Sequence, residues 1–422
     1  MLQDRPIGWR RIKMADVSVL DVLLYGEPIG TLTNVGGDRT IFAFNEAYID
    51  DPDRPTLGLA FKDEFGALLT DFRAYQKRVM PFFSNLLPEG HLRKYLSENA
   101  GVNPEREFHL LWAFGHDLPG AVTIKPADGE VWPPIGGEST DADETQGGRR
   151  ENALRFSLAG VQLKFSAVLA PSGGLTIPAS GVGGSWIVKL PSREFEGVPE
   201  NEFSMMTLAR LIGIDVPPID LVDVGSIKNL PEGIDKIGQS AFVIERFDRL
   251  SDGSAVHIED FAQVFDVYAE QKYKTATLRN IAQVLAAETS DADIAEFIRR
   301  LVFCVLIGNG DMHMKNWSLI YPDRRNAALA PAYDLVSTIP YIPNDNMGLR
   351  ISRARAFSEL TNDELEHLAA KAAIPEKLVL DTAHEAVARF HQHWQAEKHH
   401  LPMTKQVREA IEGHIKRLPI AQ

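Results

Sequence analysis

Apolar residues recur at steps of three and four along the segment "SDADIAEFIRRLVFCVLIGNG", and this spacing predicts a helix with one buried stripe. Gly308 follows the last apolar residue and is a typical helix stop. The helix is therefore expected to end directly before a polar segment. The stripe consists of Ile294, Phe297, Ile298, Leu301, Val302, Val305 and Leu306.

The first part of the chain carries the shorter apolar runs that are typical of strands. The run "VSVLDVLLYGEPIGTLT" predicts a hairpin around Gly-Glu-Pro, and "RTIFAFNEAYI" predicts a third strand. The following "MPFFSNLLPEGHLRKYLSENAG" predicts a turn that leads into a helix. Residues 1–130 are therefore predicted to form a mixed α/β subdomain.

A change in composition separates this subdomain from the rest of the chain. The stretch 127–151 is rich in glycine, proline and acidic residues, and we predict a linker at 131–151. Strand patterns such as "GSWIVKL" and "SAFVIERFD" predict a β-rich lobe at 152–250, and helical patterns predict a helical lobe at 251–422. This order is compatible with an α+β fold that transfers phosphoryl groups.

The composition limits the classes of function. The 422 residues are 44% hydrophobic and 24% charged, which is typical of a globular protein, and the net charge of -14 argues against broad binding to nucleic-acid phosphates. The single cysteine, Cys304, excludes an intrachain disulfide and suits a reducing compartment. No signal peptide and no membrane span is expected, so we predict a cytoplasmic protein.

The polar segment after the apolar helix contains a spacing used in catalysis. In "GNGDMHMKNW", four residues separate Asp311 from Asn316, as in the catalytic loop of protein kinases. There the aspartate accepts the proton of the attacking hydroxyl, and the asparagine binds a metal ion. The alternative for this short pattern is a polar helix end with a Gly-Asn-Gly turn.

A second acidic residue strengthens the first interpretation. Asp334 lies eighteen residues after Asn316, and the intervening "WSLIYPDRRNAALAPA" predicts a hairpin that turns at Pro322-Asp323. Because a hairpin returns the chain to its starting point, Asp334 and Asn316 are expected to lie together as an oxygen-rich Mg²⁺ site. The alternative for Asp334 is a helix cap after Pro331.

A lysine in the β-rich lobe adds a candidate phosphate contact. Lys189 lies in the short apolar strand of "GVGGSWIVKLPS", where a buried charge requires an anion. Glu202, thirteen residues later on a predicted helix, would give the strand–helix Lys–Glu pair of kinases. The alternative for Lys189 is an edge-strand lysine in water. At the change of lobe, "FVIERFDR" places Phe247 where it could cover an adenine or belong to the core.

These segments together resemble a known family. "FSLAGVQLKFSAVL", "IVKLPS", "ENEF", "ERFDR", "GNGDMHMKNWSL" and "PAYDLVS" occur in order, and "MPFFSNLLPEG" is similar to the family's N-terminal domain. The family is that of the HipA-type serine/threonine kinases, the toxins of bacterial HipBA toxin–antitoxin modules. The resemblance implies a two-lobed protein-kinase-like fold with an additional N-terminal subdomain, and it implies ATP and Mg²⁺ as cofactors.

The resemblance also implies roles for individual residues. Asp311 would be the catalytic base, and Asn316 and Asp334 would bind the metal. The family's autophosphorylated serine falls on Ser157, whose phosphate ejects the phosphate-covering loop and inactivates the kinase. The residues implied to contact the nucleotide are Ala159, Gly160, Val161, Gln162, Lys164, Lys189, Glu245, Phe247, Asp248, His313 and Tyr333.

The implied partners follow from the same resemblance. They are a HipB-like helix-turn-helix antitoxin, which makes most of the DNA contacts, and an aminoacyl-tRNA synthetase such as glutamyl-tRNA synthetase, whose phosphorylation arrests growth. Two departures from the eukaryotic kinase pattern are visible: the loop has a single glycine, Gly160, and His313 follows Asp311. The alternatives are a catalytically weak kinase-fold corepressor and a small-molecule or lipid kinase.

Overall fold

The computed structural model describes residues 19–127, 164–169, 174–178, 183–192, 194–230, 238–342 and 344–422. The predicted linker at 131–151 lies outside the described residues. The same is true of five residues of the predicted phosphate-covering segment: Ser157, Ala159, Gly160, Val161 and Gln162. Their assignments therefore stay predictions.

The N-terminal part of the chain builds an antiparallel five-stranded sheet with four helices. The hairpin predicted from Gly-Glu-Pro is confirmed, because Leu20 pairs with Leu32 and Val19 with Thr33 across β1 and β2. The strands lie in the order β4-β3-β2-β1-β5. The elements are β1 Val19–Leu24, β2 Glu27–Asn34, β3 Arg39–Phe44, α1 Glu46–Asp50, β4 Tyr75–Gln76, α2 Pro81–Ser84, α3 Gly90–Ala100, α4 Glu107–Phe114 and β5 Val122–Pro126.

A second five-stranded sheet follows, and one helix packs on it. Its order is β7-β6-β8-β10-β9, and the ladders joining β6, β8, β10 and β9 are antiparallel. The predicted β-rich character of this region is confirmed. The elements are β6 Lys164–Leu169, β7 Leu175–Thr176, β8 Trp186–Lys189, α5 Val198–Leu211, β9 Ile219–Asp223 and β10 Ser240–Glu245.

The two faces of the second sheet belong to different hydrophobic cores. Successive side chains of a strand point to opposite faces, and β10 shows this clearly. Val243 belongs to the buried cluster that also contains Leu20 and Leu111 of the N-terminal part, whereas Phe242 and Ile244 belong to the cluster of the helical lobe. The N-terminal part and the second sheet therefore share one core.

The remaining chain is mostly helical, with a small third sheet. The hydrophobic stripe predicted on the segment before Gly308 is confirmed, because all seven of its side chains are buried on α8. Three short strands form a sheet in the order β11-β12-β13. The elements are β11 His257–Asp260, α6 Phe261–Val264, α7 Leu278–Glu288, α8 Asp291–Ile307, β12 Ser318–Tyr321, β13 Ala328–Leu329, α9 Asn362–Ala372, α10 Glu376–Glu397 and α11 Lys405–Ile415.

Within the described ranges, no helix is both long enough and apolar enough to cross a membrane. The hairpin predicted to turn at Pro322-Asp323 is confirmed, because Leu319 of β12 pairs with Leu329 of β13.

A buried carboxyl joins the third sheet to the N-terminal subdomain. Glu259 of β11 is fully buried, and its Oε1 accepts hydrogen bonds from the Leu59 amide (2.9 Å) and the Tyr321 hydroxyl. Its Oε2 has no hydrogen-bond partner among the described residues. Burial raises the pKa of Glu259 to about 7, so the carboxyl resists ionisation inside this junction.

This junction predicts a pH-dependent difference in stability. Because the pKa of Glu259 is higher in the folded state than in the unfolded state, the carboxyl contributes its full stability below its ordinary pKa of 4.5. This stability is lost as the pH rises to about 7. Glu259→Gln removes that loss. The free energy of unfolding of Glu259→Gln minus that of the parent protein should therefore be about 3 kcal/mol larger at pH 8 than at pH 5.

Thermal unfolding of both proteins across this pH range measures the difference. Burial lowers the pKa of His257 to about 4, but His257 is present in both proteins. Its effect on stability therefore cancels in the difference between them. A stability difference that does not change with pH would show that Glu259 is ionised in the folded state throughout.

Candidate active site

The polar segment after α8 is held by tight packing around two glycines. Gly308 ends the helix with φ of +66°, and a Cβ there would lie 2.6 Å from the Ile339 side chain. At Gly310 a Cβ would lie 2.0 Å from the Asp345 carboxylate, and the Gly310 amide donates to the Thr338 hydroxyl at 2.7 Å. The glycine before Asp311 is therefore required by the close approach of Thr338 and Asp345.

Backbone hydrogen bonds fix the Asp311 loop and leave its carboxylate accessible. The Asn309 side chain accepts from the Asp311 amide at 2.9 Å, and the Asp311 carbonyl accepts from the Asn316 side chain at 2.7 Å. The Asp311 side chain is 47% exposed. Its Oδ1 accepts a hydrogen bond from the Tyr273 hydroxyl. The loop thus presents a carboxylate to solvent from a rigid, buried helix end.

Lys189 lies buried between two carboxylates, as the Lys–Glu prediction requires. Its ammonium donates to Glu202 of α5 and to Asp334, and the side chain is 9% exposed. The Lys189–Glu202 pairing predicted from the sequence is therefore confirmed, and the edge-strand alternative is wrong. Burial alone would raise the pKa of Asp334, but Lys189 and Lys164 lower it well below its usual value. Burial also raises the pKa of Glu202 to about 6, against the opposing effect of Lys189.

The alternation of β8 explains why Lys189 faces this site. Val188 points into the core shared with the N-terminal part, so Lys189 points to the opposite face, 5.6 Å from the Phe242 ring. Lys164 of β6 pairs directly with Lys189 across the sheet. Adjacent like charges destabilise a sheet unless anions compensate them. The pair therefore makes this face of the sheet suited to anionic groups.

Asp334 and Asn316 lie together, as the predicted hairpin requires. Both line one pocket beneath the loop, and no helix follows Asp334 in residues 335–338, so the helix-cap alternative is wrong. Asp334 adopts a left-handed backbone conformation with φ of +56°, which is uncommon outside glycine. The other residues lining the pocket are Arg300, Cys304, Asn309, Met312, Trp317, Ala332, Tyr333 and Leu335.

The donor set at this pocket fits a magnesium ion that is bound together with phosphates. Asn316 uses its amide nitrogen on the loop, which leaves its Oδ1 as a ligand, and Asp334 supplies carboxylate oxygen. Across the described residues, no group of three or more His, Cys, Asp or Glu could hold a metal. Two protein oxygens completed by phosphate and water suit Mg²⁺ better than a closed protein cage.

The hinge, residues 245–248 between β10 and the helical lobe, meets the same pocket through the contact of Phe247 with Tyr333. The rings of Phe247 and Tyr333 are 5.8 Å apart at an angle of 30°, and the Tyr333 hydroxyl donates to the Lys315 carbonyl at 2.9 Å. Phe247 is half-buried and belongs to neither of the two buried clusters. Glu245 ends β10, where its amide donates to the Pro218 carbonyl at 2.8 Å. Phe247 and Tyr333 therefore form an aromatic pair between the two lobes.

Asp248, predicted to contact a nucleotide, has other partners in the structure. Its carboxylate is buried and pairs with Arg246 and Arg249 at 2.9 Å each, and it accepts from the Gly120 amide at 2.8 Å. Burial alone would raise the pKa of Asp248, but the two arginines lower it. Asp117 binds the same arginines from the N-terminal subdomain. The Asp248 carboxylate therefore joins the hinge to that subdomain, and a nucleotide contact of Asp248 stays a prediction.

His313 lies next to the exposed carboxylate rather than in the aromatic pair. Its Nε2 is 3.9 Å from Asp311 Oδ1, and its ring meets the Tyr273 ring edge-on at 4.9 Å between centroids. Burial lowers the pKa of His313, although Asp311 opposes this, so the imidazole is neutral near pH 7. Its Nδ1 has no partner among the described residues.

Two contacts of this site were missed by sequence reasoning. Lys315 donates to Asp260 at 2.6 Å and to the carbonyl and side chain of Asn85 at 3.0 and 3.1 Å. Burial alone would raise the pKa of Glu89, but Lys315 and Lys272 lower it. Asn85 and Glu89 belong to the "SNLLPEG" segment, so the loop that carries Asp311 is tied to the N-terminal subdomain. The lysine in "DMHMKN" could have indicated these contacts, because a lysine in such a loop needs hydrogen-bond acceptors nearby.

Comparisons with known proteins cover both halves of the chain. Residues 156–394 match the family described as HipA-like C-terminal domain, and residues 20–125 match the family described as HipA N-terminal domain. The first match alone spans more than half of the 422 residues.

Individual relatives agree with these family matches. A protein named "Putative kinase Y4dM" from Sinorhizobium fredii is 60% identical over 404 residues, which cover 95% of this chain and 97% of that protein. The serine/threonine-protein kinase toxin HipA of Shewanella oneidensis is 28% identical over 295 residues, covering 63% of this chain and 64% of that protein. A solved complex of HipA, HipB and operator DNA from Shewanella oneidensis MR-1 matches with a TM-score of 0.71 and 21% identity, covering 95% of this chain and 96% of that one. That likeness shows the kinase-like α+β fold.

Proposed function

Because this chain belongs to the HipA family of kinases, we propose that it is an ATP- and Mg²⁺-dependent protein kinase that phosphorylates serine or threonine. The observation that carries the proposal is the buried Lys189 between Glu202 and Asp334, because Asp334 also lines a pocket with Asn316 of the Asp311 loop. Structural salt bridges also place lysine between acids. Here, however, Asp334 shares its pocket with Asn316, and a solvent-accessible aspartate precedes Asn316 at kinase spacing, which a structural salt bridge does not require.

The residues divide the proposed reaction between them. Asp311 orients the acceptor hydroxyl and takes its proton as the hydroxyl oxygen attacks the γ-phosphorus, so that ADP leaves. Lys189 and Lys164 neutralise phosphate charge from the sheet, and Glu202 holds Lys189 in place. Asn316 and Asp334 would hold Mg²⁺, which supplies positive charge to the phosphates.

The nucleotide base is proposed to lie at the hinge. Glu245 and Phe247 stand where β10 leaves the second sheet, and Tyr333 faces Phe247 from the other lobe. The half-buried Phe247 ring suits a purine, because bases stack on the faces of aromatic side chains. Lys164 begins β6 directly after the predicted phosphate-covering segment. That segment therefore joins the sheet at one of the two lysines proposed to bind the phosphates.

The proposed partners follow from the family. The Shewanella oneidensis relative of known structure was solved with HipB and operator DNA. We propose a HipB-like antitoxin for this chain, with DNA contacted mainly through that partner, because the net charge of -14 disfavours phosphate binding by this chain itself. As substrate we propose an aminoacyl-tRNA synthetase, whose phosphorylation would arrest growth.

Phosphoryl transfer from γ-labelled ATP tests this function. The purified chain is incubated with labelled ATP, Mg²⁺ and host lysate, and Asp311→Asn protein serves as the inactive control. A labelled protein band that requires both the parent chain and Mg²⁺ supports the proposal, and its identification names the substrate. Label in a lipid or small-molecule fraction would favour the alternative kinase class. Absence of transfer would favour a corepressor.

We further propose that Ser157 is the autophosphorylation site that switches the kinase off. A phosphate carries a charge of about -1.5 to -2 and would compete with ATP for Lys164 and Lys189. Incubation of the purified chain with ATP and Mg²⁺ should therefore add one phosphate to Ser157, with loss of activity, and Ser157→Ala should remain unmodified. Mass spectrometry of the peptides reads this out. An active preparation without phosphate on Ser157 would contradict the prediction.

A further inference from the structure

Tyr273 contacts the carboxylate that the proposed reaction uses as its base. The tyrosine follows a short 3-10 helix, Ala269–Gln271, and its hydroxyl donates a hydrogen bond to Asp311 Oδ1. The Tyr273 side chain is 38% exposed, so the contact lies at the mouth of the site. Neither the sequence pattern nor the proposed reaction assigns a role to this residue.

The segment that carries Tyr273 is fastened on both sides. The Lys272 carbonyl accepts from the Met314 amide of the Asp311 loop at 3.2 Å. The Lys272 ammonium pairs with Glu89 of the N-terminal subdomain at 3.0 Å. The Tyr273 ring packs edge-on against His313 at 4.9 Å. These contacts hold the hydroxyl on Asp311.

The chemistry of the contact is that of an acceptor alcohol. A serine or threonine substrate must donate its hydroxyl proton to Asp311 before it attacks phosphorus, and the Tyr273 phenol makes this same donation. Burial, followed by the charge of Asp311, raises the pKa of Tyr273, so the phenol remains a proton donor at physiological pH. Its oxygen therefore takes the hydrogen-bonding position of the substrate hydroxyl.

Without such an occupant, the hydrogen-bonding position on Asp311 Oδ1 would be open to water. The side chain is 47% exposed even with Tyr273 in place, so solvent reaches the site, and a water molecule in the acceptor position could attack bound ATP and waste the nucleotide. Water offers a single hydrogen bond, which only replaces the one lost from Tyr273. A protein substrate also buries surface, and this additional binding free energy can displace the tyrosine.

We propose that Tyr273 occupies the acceptor position on Asp311 until a protein hydroxyl displaces it, and that it thereby selects protein over water as the phosphoryl acceptor. This inference rests on the proposed function. A different role, in which Tyr273 only holds Asp311 in its productive orientation, makes the opposite prediction for the Tyr273→Phe variant, because loss of the hydroxyl would then slow every transfer.

Hydrolysis of ATP without a protein acceptor separates the two roles. With ATP and Mg²⁺ alone, Tyr273→Phe should raise the kcat of hydrolysis on the order of tenfold, the usual weight of one hydrogen bond to a charged group. The KM for ATP should not change. Tyr25→Phe is the matched control, because it also removes the hydrogen-bonded hydroxyl of a half-buried tyrosine, one that contacts the Tyr321 carbonyl and the His257 amide. Hydrolysis that is unchanged or slower in Tyr273→Phe overturns the inference.

A second measurement does not depend on activity. Thermal unfolding of the nucleotide-free chain is measured for Tyr273→Phe, Asp311→Ala and the double variant, because alanine removes the oxygen that accepts the Tyr273 hydrogen bond. The effects of the two substitutions should be non-additive, whereas Tyr25→Phe combined with Asp311→Ala should be additive. Additivity of Tyr273 with Asp311 overturns the contact on which the inference rests.

The outcomes for the inference and for the proposed function remain distinct. If Asp311→Asn abolishes transfer to protein while Tyr273→Phe hydrolyses ATP like the parent chain, the inference alone fails. If the folded Asp311→Asn protein retains full transfer, the proposed function fails with it.

Discussion

Asp311→Asn is expected to lower phosphoryl transfer by about a thousandfold or more while the protein remains folded. Asparagine has the same shape as aspartate and can still accept the Tyr273 hydrogen bond through its amide oxygen. It cannot take the proton of an attacking hydroxyl, and it lacks the charge that orients that hydroxyl. The loss should therefore fall on kcat, with little change in the KM for ATP.

The structure explains why this substitution should spare the fold. The hydrogen bonds that shape the loop use the Asp311 amide and carbonyl, which the substitution retains. The side chain is nearly half exposed, so no buried charge is created or removed. Circular dichroism and thermal unfolding check the fold. Asp53→Asn provides the charge-matched control, since that exposed carboxylate pairs with Arg325 at the surface. Parent-like transfer by folded Asp311→Asn protein would remove Asp311 from the mechanism.

Lys189→Met is expected to have the second large effect, on both activity and stability. The substitution leaves the buried Glu202 and the partly buried Asp334 without their cation. Removal of one partner from a buried ion pair costs about 3–5 kcal/mol of unfolding free energy. Transfer should fall at least about a hundredfold, because the phosphates lose a positioned charge. Chemical denaturation and the labelled-ATP assay measure the two effects.

A double variant separates the structural role of Lys189 from its role at the phosphates. Lys189→Met combined with Glu202→Leu removes one unpaired carboxylate and should recover part of the lost stability. Transfer should stay low, because no cation has been restored. Lys164→Met, which removes the exposed neighbouring lysine, should cost much less stability. If the stabilised double variant transfers phosphate like the parent chain, Lys189 acts only as a structural partner of the acids.

Local patterns in the sequence carried much of the fold and the centre of the site. The stripe on α8 and the hairpins around Gly26 and Pro322 follow from periodicity and turn residues, which act over short stretches of chain. The pairing of Lys189 with Glu202 was also predictable, because an apolar strand with a charged residue requires a nearby counter-charge. Five residues of the predicted phosphate-covering segment, Ser157 among them, lie outside the described residues and stay predictions.

The sequence by itself determined the α8 helix, the two hairpins and the meeting of Lys189 with Glu202. Only the tertiary structure decided that Asp248 serves a junction with Gly120, that Lys315 binds Asn85, and that Tyr273 reaches Asp311. Asn85 and Lys315 are separated by 230 positions, and no periodic pattern extends that far. The contacts of Asp248 and Lys315 depend on how the N-terminal subdomain packs against the kinase lobes, which is set by the shapes of whole buried surfaces rather than by any local stretch of the chain.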